Sequence, residues 1–446
     1  MKTTKKFVLS ILVPVALVMV LIAALSLSGS GLAPNSEEAK LSKNGQSVML
    51  FRKLAEAFPE IQELEAEENI SAQALNGDPQ PSRDNVYPSD YAGAFIDKND
   101  VLHVVLVGED NIALYRDALG NNDVYIIEQA ETTLNDLLAI QSLLDSVMIE
   151  FEIGMTATDE EANCLKIGLM NPNRESDVLN YLEENIDGFI PSSVMFKKSS
   201  GISLTQASNG PKEAIAGSTL AVPDNSDIGF YTAGFNATRG GVVGVVTAGH
   251  KVVANSTEFK NSSLATIGKA TIVAFKGKVD ASFIPLPSTL TKSYKFMNNS
   301  VCKFEDNITD YYANEKFIPA IQGMLVYKFG AKTKNTRGTL DNLNATGDFG
   351  GVVLSDQFII GGDIKQEGGD SGCPVIDFLI KKPKTVTPHN IMGIATGVDD
   401  NDGTVYCSKI GNIMSTLGLT VYTGASTSCN CSECNPPETT TKSSGC

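Results

Sequence analysis

The sequence predicts an all-β domain, a barrel or a sandwich, in the C-terminal half of the chain, preceded by a smaller α+β domain. Two observations predict this arrangement. From residue 215 onward, short apolar runs are separated by Gly and Asn turns at even spacing, and only 409–417 looks helical. Between residues 91 and 200, strand-like runs alternate with two amphipathic helical patterns. A chain of 446 residues is long enough for two or three domains.

Charge divides the chain in the same way. The net charge is −17, and residues 34–200 carry 31 acidic and 11 basic side chains, a balance of −20. Residues 201–446 carry 21 of each sign and are neutral overall. Because a surface that binds phosphates must be basic, this distribution argues against nucleic acid as a partner.

The first 33 residues have the pattern of an export signal. Lys2, Lys5 and Lys6 precede an apolar run over 7–27, and small residues follow up to Ala33. The apolar run is also long enough to span a bilayer as an uncleaved anchor. We therefore expect residues 1–33 to be a signal peptide or a membrane anchor. In either case the rest of the chain is expected outside the cytosol, secreted or anchored to the membrane from outside.

Residues 34–90 read as a polar segment with one amphipathic helix at 48–64 and a Pro/Gly linker from residue 76. Residues 91–200 are predicted to form the α+β domain, with helices covering one face of a sheet. His103 lies in one of its strands and is expected to be structural. The predicted elements are a hairpin of 94–97 with 101–107, a strand at 124–128, a helix over 134–151 capped by Thr133 and Asp136, a strand at 164–170, a helix at 176–186 and a strand at 194–198.

Residues 201–214 are rich in Ser, Gly, Lys and Pro, which is typical of an exposed linker that a protease can cut. The β domain is predicted over 215–425. Its clearest strands are expected at 230–235, 242–247, 270–275, 283–285, 324–329, 352–354, 358–360, 374–378 and 391–398.

The remaining residues, 426–446, form a tail rich in Cys, Ser and Thr that holds four of the eight cysteines. Cys429, Cys431 and Cys434 could bind a metal, but they lack the paired CxxC spacing usual in four-cysteine zinc sites. In an exported chain a disulfide knot or a free tail is the preferred interpretation. Disulfide bonds are expected, although their connectivity cannot be read from the sequence. No metal site and no cofactor are predicted.

The most informative stretch for chemistry is Gly-Asp-Ser-Gly at 369–372. A serine hydroxyl becomes a nucleophile only when a base takes its proton. Flanking glycines let the backbone curl so that the N–H groups of Gly369 and Ser371 can point at one developing oxyanion. This stretch therefore requires a histidine, and an acid to orient that histidine, elsewhere in the chain.

Only three histidines are present, so the candidates are few. His389 lies in a Lys/Pro-rich loop and is expected at the surface, whereas His250 ends the strand at 242–247. Asp280 lies between apolar residues at a strand edge, where burial of a carboxylate requires a donor such as a histidine N–H. We therefore predict that His250 and Asp280 are the partners of Ser371.

The order of these three residues resembles that of the chymotrypsin-like serine peptidases, and most closely their bacterial branch, the streptogrisins and alpha-lytic protease. The likeness covers about 210 residues, 215–425. The motifs that carry it are TAGH at 247–250, DASFI at 280–284, GDSG at 369–372 and GIATG at 393–397. The resemblance implies a double β-barrel catalytic domain. The acidic α+β domain is similar to the pro-regions of that branch.

What the resemblance implies is a serine-type endopeptidase with polypeptide substrates and an acyl-enzyme intermediate. Ser371 attacks, His250 transfers the proton and Asp280 orients the histidine, while Gly369 and Ser371 form the oxyanion hole. The resemblance also implies that the backbone of the substrate pairs with Ala395, Thr396 and Gly397, the expected binding strand.

The same resemblance implies a zymogen, in which the α+β domain binds the catalytic domain in cis and 201–214 holds the activation cut. Asp370 is expected to pair with a buried cation that the sequence does not identify. Cys373 departs from the family pattern and is either a small buried hydrophobic residue or a partner for Cys407. The alternative to an enzyme is a catalytically silent binding or scaffold protein on a peptidase fold.

Overall fold

The computed structural model describes residues 42–61, 87–120, 124–204, 219–223, 228–260, 266–287, 296–297, 303–304, 320–377 and 391–421. The predicted signal or anchor at 7–27, most of the linker at 201–214 and the Cys-rich tail lie outside these residues. In the parts of the chain just given, no helix is long and apolar enough to cross a membrane. Below, the N-terminal part means residues 34–200 and the C-terminal part means 215–425.

Helix α1, Lys43–Ala57, is the predicted amphipathic stretch, although it begins five residues earlier than expected. It begins at Ser42, whose Oγ accepts a hydrogen bond from the Gly45 backbone N–H. Its Asn44 side chain donates to the carbonyl of Gly323 at 3.0 Å and accepts from the N–H of Leu325 at 3.0 Å. The helix is therefore an interface helix that is bonded to the C-terminal part.

A small three-stranded sheet follows. The predicted hairpin is confirmed, since β1, Tyr91–Ile96, runs antiparallel to β2, Leu102–Leu106. Strand β3, Tyr125–Gln129, lies parallel to β2 on its other side. Parallel neighbours need a crossover, and α2, Ile112–Leu119, which the sequence analysis missed, provides it.

The rest of the N-terminal part builds a second set of strands. Helix α3, Leu134–Asp145, has the predicted cap, in which Thr133 Oγ1 accepts from the Asp136 N–H at 3.1 Å. The elements after it are β4 Ile153–Asp159, β5 Cys164–Leu169, α4 Glu175–Asn185 and β6 Val194–Lys198. Strand β4 is antiparallel to β5, and β5 is parallel to β6.

Nine strands of the C-terminal part form two sheets around one apolar core, which we call the first barrel. One sheet has the order β14-β15-β11-β10-β24 and the other β13-β12-β8-β9. The strands are β8 Thr219–Pro223, β9 Ile228–Thr232, β10 Phe235–Arg239, β11 Val242–Thr247, β12 Glu258–Lys260, β13 Thr266–Lys269, β14 Ile272–Lys276, β15 Val279–Pro285 and β24 Thr420–Val421. Two further two-residue strands, β16 Phe296–Met297 and β17 Lys303–Phe304, form a separate hairpin.

The second barrel is a ring of six strands in the order β18-β21-β22-β23-β20-β19, which closes because β19 also pairs with β18. The predicted all-β double barrel is therefore confirmed by the strand pairing. The elements are β18 Leu325–Gly330, β19 Lys334–Asp348, β20 Val353–Gly361, β21 Pro374–Asp377, β22 Ile391–Asp399, β23 Val405–Lys409 and the closing helix α5 Ile410–Leu417. The strands predicted at 352–354 and 358–360 are one strand.

Strand β19 belongs to both parts of the chain. Its first residues pair with β18, whereas Ala345, Thr346 and Gly347 pair with β4. Strands β4, β5 and β6 therefore continue the sheet of the second barrel. The expectation of one separate sheet in the α+β domain is wrong, because half of its strands find their partner in the C-terminal part. The domain boundaries themselves stay a prediction.

The junction of β19 and β4, which we call the seam, buries a carboxyl group. Asp145, the last residue of α3, accepts from the hydroxyl of Thr156 at 2.9 Å and from that of Thr346 at 2.7 Å. Thr156 lies in β4 and Thr346 in β19. The acid therefore joins the N-terminal part to the long strand of the second barrel.

The start of the predicted linker is structured. Residues 202–204 form strand β7, Ile202–Leu204, which runs antiparallel to β22. Leu204 lies opposite Gly397, Ser203 opposite Val398 and Ile202 opposite Asp399. An exposed linker was expected here because Ser and Gly dominate the segment, but backbone pairing with an apolar strand far along the chain holds it in place.

Candidate active site

Asp280 and His250 lie together at adjacent strand ends of the first barrel. Asp280, in β15, accepts through Oδ1 from the N–H groups of Gly249 and His250, both at 2.7 Å. Its Oδ2 lies 2.6 Å from Nδ1 of the same histidine. Because a carboxylate can only accept there, Nδ1 carries the proton, and in the neutral ring Nε2 is left as the acceptor. The acid thus orients the imidazole as a base.

The imidazole of His250 is packed between aromatic rings. The ring of Tyr231 lies 5.7 Å away and that of Phe275 lies 5.9 Å away, edge to face. The Tyr231 hydroxyl also donates to the carbonyl of His250 at 2.8 Å. The side chains of His250 and Asp280 are both 0 % exposed, and Nε2 of His250 has no hydrogen-bond partner among the described residues.

Ser371 lies on a turn of the second barrel that abuts the end of β11. Its carbonyl accepts from the Thr232 N–H at 2.8 Å, and the next residue, Gly372, donates to Ala395 at 2.8 Å. A side chain at Gly372 would lie 2.2 Å from the hydroxyl oxygen of Thr247, three residues before His250. Glycine is required there by this close approach and by a φ of +84°.

The structure thus brings the three predicted catalytic residues to the junction of the two barrels. The hydrogen bond between Ser371 and Nε2 of His250 is not made, because that nitrogen has no partner. Nucleophile–base hydrogen bonds are often long or unformed in structures without substrate, so the missing bond does not contradict the predicted roles. Ser371 is itself 0 % exposed, as are its two predicted partners. The assignment of these roles stays a prediction.

The cation that the sequence left unidentified beside Asp370 is Lys328, from β18. Its Nζ lies 3.0 Å from Oδ2 of Asp370, and both side chains are 0 % exposed. The same oxygen accepts from the Thr333 hydroxyl at 2.6 Å, and Oδ1 accepts from the N–H groups of Lys332 and Thr333 at 2.8 and 3.2 Å. This network holds Asp370, the residue before Ser371, in one orientation.

Thr232 is a residue of this site that the sequence analysis missed. Its hydroxyl donates to the carbonyl of Gly369 at 2.7 Å and accepts from the Ala331 N–H at 3.0 Å. The Thr232 N–H also donates to the Ser371 carbonyl, so Thr232 binds both ends of the 369–371 turn to the first barrel. Only its position at the end of a strand could have suggested this role. The oxyanion role of the Gly369 and Ser371 N–H groups stays a prediction.

A second missed feature supports Asp280 from the other barrel. The Asp280 N–H donates to Ser408 Oγ at 3.0 Å, and that hydroxyl donates to Gln357 Oε1 at 2.9 Å. The amide nitrogen of Gln357 then donates to the carbonyl of Lys278 at 2.8 Å. All three side chains, of Asp280, Ser408 and Gln357, are fully buried. Asp280 and Lys278 belong to the first barrel, and Ser408 and Gln357 belong to the second. These hydrogen bonds therefore fix the relative position of the two barrels beside Asp280.

The predicted substrate strand is β22. The Ala395 carbonyl accepts from the Gly372 N–H and its own N–H donates to the Cys373 carbonyl, both on the side of β21, while Thr396 Oγ1 lies 3.3 Å from Ser408 Oγ. Gly397 pairs with Leu204 of β7. The edge that was expected to bind a substrate backbone is therefore occupied, in part, by the chain itself.

Cys373 and Cys407 are both buried and free, which settles the two alternatives left open for Cys373. A disulfide is prevented because Ala395 lies between them, bonded to Cys373 on one side and paired with Cys407 on the other. Two strand spacings separate the Cα atoms by about 9–10 Å, beyond the reach of a disulfide. Burial raises the pKa of the Cys373 thiol to about 12, so it is not a nucleophile. The described part of the chain holds no group of three or more His, Cys, Asp or Glu side chains that could bind a metal.

No protein-family model and no curated protein sequence matches the chain. Solved structures similar to it include a glutamic acid specific serine protease, at 20% identity and a TM-score of 0.36, which covers 47% of this chain and 100% of its own. Protease A of Thermobifida fusca is 20% identical with a TM-score of 0.35, over 47% of this chain and 98% of its own. An alpha-lytic protease homolog, N4, is 19% identical with a TM-score of 0.36, over 47% and 100%.

Proposed function

We propose that this chain is an exported serine endopeptidase of the chymotrypsin-like type, made as a zymogen. The observation that carries the proposal is the Asp280–His250 pair, in which two backbone N–H groups and the ring nitrogen converge on one carboxylate. The turn that bears Ser371 abuts the same strand end. A base oriented by an acid beside a serine on a glycine turn is the arrangement that acyl transfer needs.

In this mechanism His250 Nε2 takes the proton of the Ser371 hydroxyl as Oγ attacks the peptide carbonyl. The resulting oxyanion is stabilised by the N–H groups of Gly369 and Ser371. The histidine then gives its proton to the leaving amine, and water repeats the sequence on the acyl-enzyme. Asp280 stays hydrogen bonded to Nδ1 throughout and stabilises the imidazolium. The Lys328–Asp370 pair keeps the serine turn in place for attack.

The zymogen part of the proposal rests on burial and on strand pairing. All three candidate catalytic side chains are 0 % exposed in the full chain, so a substrate cannot reach them. Strand β7 pairs with β22 at Gly397, on the edge predicted for a substrate. The N-terminal part together with β7 is thus proposed to block the junction of the two barrels around Ser371, which we call the cleft, in cis until the chain is cut within 205–218, after β7.

The test uses a fluorophosphonate probe, which reacts only with an activated serine. The uncut full-length chain is expected to resist labelling, and the cut chain is expected to be labelled. Ser371→Ala is expected to abolish labelling entirely. The matched control is Ser415→Ala, on the exposed face of α5, which should label as the parent does. Equal labelling of the Ser371→Ala chain would contradict the proposal.

N-terminal sequencing of the protein released by its host tests export and activation together. A new N-terminus within 205–218 is expected for the mature form. A mature protein that still begins before residue 34 and remains with the membrane would show that 7–27 is an anchor. A chain that is labelled at Ser371 while intact would contradict the zymogen, but not the peptidase.

A further inference from the structure

One side chain of β7 is buried in an apolar pocket that belongs to the C-terminal part. Ile202 is 6 % exposed and shares an apolar cluster with Phe349 and Tyr406. These two rings meet edge to face, with centroids 5.8 Å apart. Ser203, the next residue, instead bonds its hydroxyl to the exposed Asp400. The strand therefore presents Ile202 to the molecule as an extended peptide would, and the half-buried Leu204 packs against the same cluster.

Two glycines make the room for that side chain. A Cβ at Gly347 would lie 2.0 Å from Cδ1 of Ile202, and a Cβ at Gly397 would lie 3.0 Å from its Cγ2. Neither glycine has a positive φ, so the backbone conformation does not require glycine at either position. Glycine is needed instead because a side chain at either position would fill the space that Ile202 occupies. We call Gly347, Phe349, Gly397 and Tyr406 the Ile202 pocket.

The pocket does not depend on the N-terminal part for these four walls. All of them lie in β19, β22, β23 or the turn after β19. Met155 and Ala157 of β4 complete the cluster from outside. After a cut beyond residue 204 and departure of the N-terminal part, the four walls would remain and would expose apolar surface, which favours an aliphatic occupant.

The register of β7 gives the position of the pocket relative to the reacting serine. Ile202 lies opposite Asp399, and Leu204 lies opposite Gly397. A peptide in the same register places its next residue opposite Thr396. Its neighbour, Ala395, is bonded to the residue after Ser371. The residue opposite Thr396 is taken as the one whose carbonyl Ser371 attacks. The residues opposite Gly397, Val398 and Asp399 are then the second, third and fourth before the cut, and the fourth enters the pocket.

From this register we propose that the Ile202 pocket is a specificity subsite that selects an aliphatic side chain at the fourth residue before the cleaved bond. This inference rests on the proposed peptidase function. The substrate class is an extended polypeptide segment with Ile, Val or Leu at that position. Of the two glycines, Gly347 determines the choice, because a Cβ there would meet the side chain of the occupant and not its backbone. Gly397, in contrast, faces the Ser203 carbonyl, 2.7 Å from where its Cβ would be.

The experiment starts from the full-length chain and measures kcat/KM after its activating cut. The four peptide substrates differ only at the fourth residue before the cleaved bond, which is Ile, Val, Ala or Glu. The Ile and Val peptides are expected to be cleaved about tenfold to a hundredfold faster than the Ala peptide, since these side chains have three and two more carbons than Ala and each buried methylene contributes about fourfold. The Glu peptide is expected to be the slowest, because the described walls of the pocket offer no cation for a carboxylate.

Two glycine variants separate a side-chain subsite from general damage to the strand. In Gly347→Ala the Ile/Ala ratio is expected to fall toward one, because the new methyl group fills the space of Cδ1. In Gly397→Ala both peptides are expected to slow together, since the methyl group meets the backbone of any occupant. The ratio for the unaltered chain tests the proposal even if either variant fails to fold.

Equal cleavage of the Ile and Ala peptides by the unaltered chain would overturn the subsite and leave the peptidase function standing. A Gly347→Ala chain that keeps the full Ile/Ala ratio would show that the preference arises elsewhere, which also overturns it. Cleavage of none of the four peptides, with no labelling at Ser371, would overturn the proposed function and the subsite with it.

Discussion

The cleft holds fully buried carboxyl groups and the seam a half-buried one, and the two regions surround them with different donors. In the cleft, Asp280 accepts from two backbone N–H groups and a histidine, and Asp370 accepts from a lysine, a threonine and backbone N–H groups. In the seam, Asp145 accepts from two neutral hydroxyl groups. Burial therefore raises the pKa of Asp145 to about 6, and the two hydrogen bonds oppose this only in part.

The difference separates two uses of an acid. Backbone and cationic donors are rigid or charged and hold a carboxylate in one orientation, as the cleft requires. Hydroxyl groups can rotate, and they can donate to a carboxylate or accept from the protonated acid. The cleft surrounds its carboxyl groups with backbone and cationic donors, whereas the seam accommodates a neutral acid near pH 6. The following changes break this contrast, beginning with the largest expected effect.

Replacing the acid of the catalytic pair tests whether the cleft depends on an acceptor. In Asp280→Asn the amide can donate to Nδ1, so the imidazole no longer has to carry its proton there and Nε2 loses its role as base. The expected result is a fall in kcat of about 10⁴-fold with the fold intact, measured by peptide hydrolysis and circular dichroism. Asp402→Asn, at an exposed turn, is the control and should change kcat by less than about twofold. A loss below tenfold in Asp280→Asn would contradict the assigned role.

Removing the cation beside Asp370 tests the second cleft carboxylate. Lys328→Met leaves a buried charge without a cation, which is expected to lower the free energy of unfolding by about 3–5 kcal/mol. The double variant Lys328→Met with Asp370→Asn removes both charges and should recover most of that loss. Urea unfolding in a Ser371→Ala background, which prevents self-digestion, measures both. Equal losses in the single and double variants would show that lost packing, and not the unpaired charge, is responsible.

The seam should make the stability of the fold depend on pH through Asp145, whose pKa is raised to about 6. The folded chain binds the Asp145 proton more tightly than the unfolded chain does. The protonated acid therefore gives its full contribution to the free energy of unfolding below about pH 4. That contribution is lost as pH rises to about 6, and no further loss follows above that. The expected change is of the order of 1–2 kcal/mol, since the side chain is partly exposed.

Urea midpoints at pH 4.5 and pH 7.0 in the Ser371→Ala background measure this effect. Asp145→Asn is expected to remove that share of the pH dependence, and Asp110→Asn, an exposed acid of the N-terminal part, is the control. An Asp145→Asn chain whose midpoints still differ as much as those of its parent would show that another group titrates.

The parts of the fold that were predictable from the sequence are those with local signals. The run of valines in β11 predicted that strand with its correct bounds, because a buried strand needs a continuous apolar run. Thr133 and Asp136 predicted the start of α3, because a cap forms between residues three apart. His250, Asp280 and Ser371 could be proposed from the sequence because their chemistry restricts the choice to few residue types.

What could not be predicted depends on partners that are distant in the chain. Strand β4 has a mixed sequence, IGMTATD, and is a strand because β19 pairs with it. Residues 202–204 read as a linker until β22 lies beside them. Lys328 lies in the strand predicted at 324–329, and only the approach of Asp370 explains its burial. Tertiary pairing, and not local propensity, decides all three.

One consequence of the shared strand β19 concerns the solubility of the protein after processing. Departure of the N-terminal part would uncover the backbone of Ala345, Thr346 and Gly347, a free strand edge that could recruit another polypeptide. The edge is only three residues long in that pairing, and β19 shifts register against β20 at three places between Leu340 and Gly347. Such bulges twist a strand and make it a poor template for intermolecular sheets. The irregularity of this strand would therefore protect the proposed mature form from aggregation.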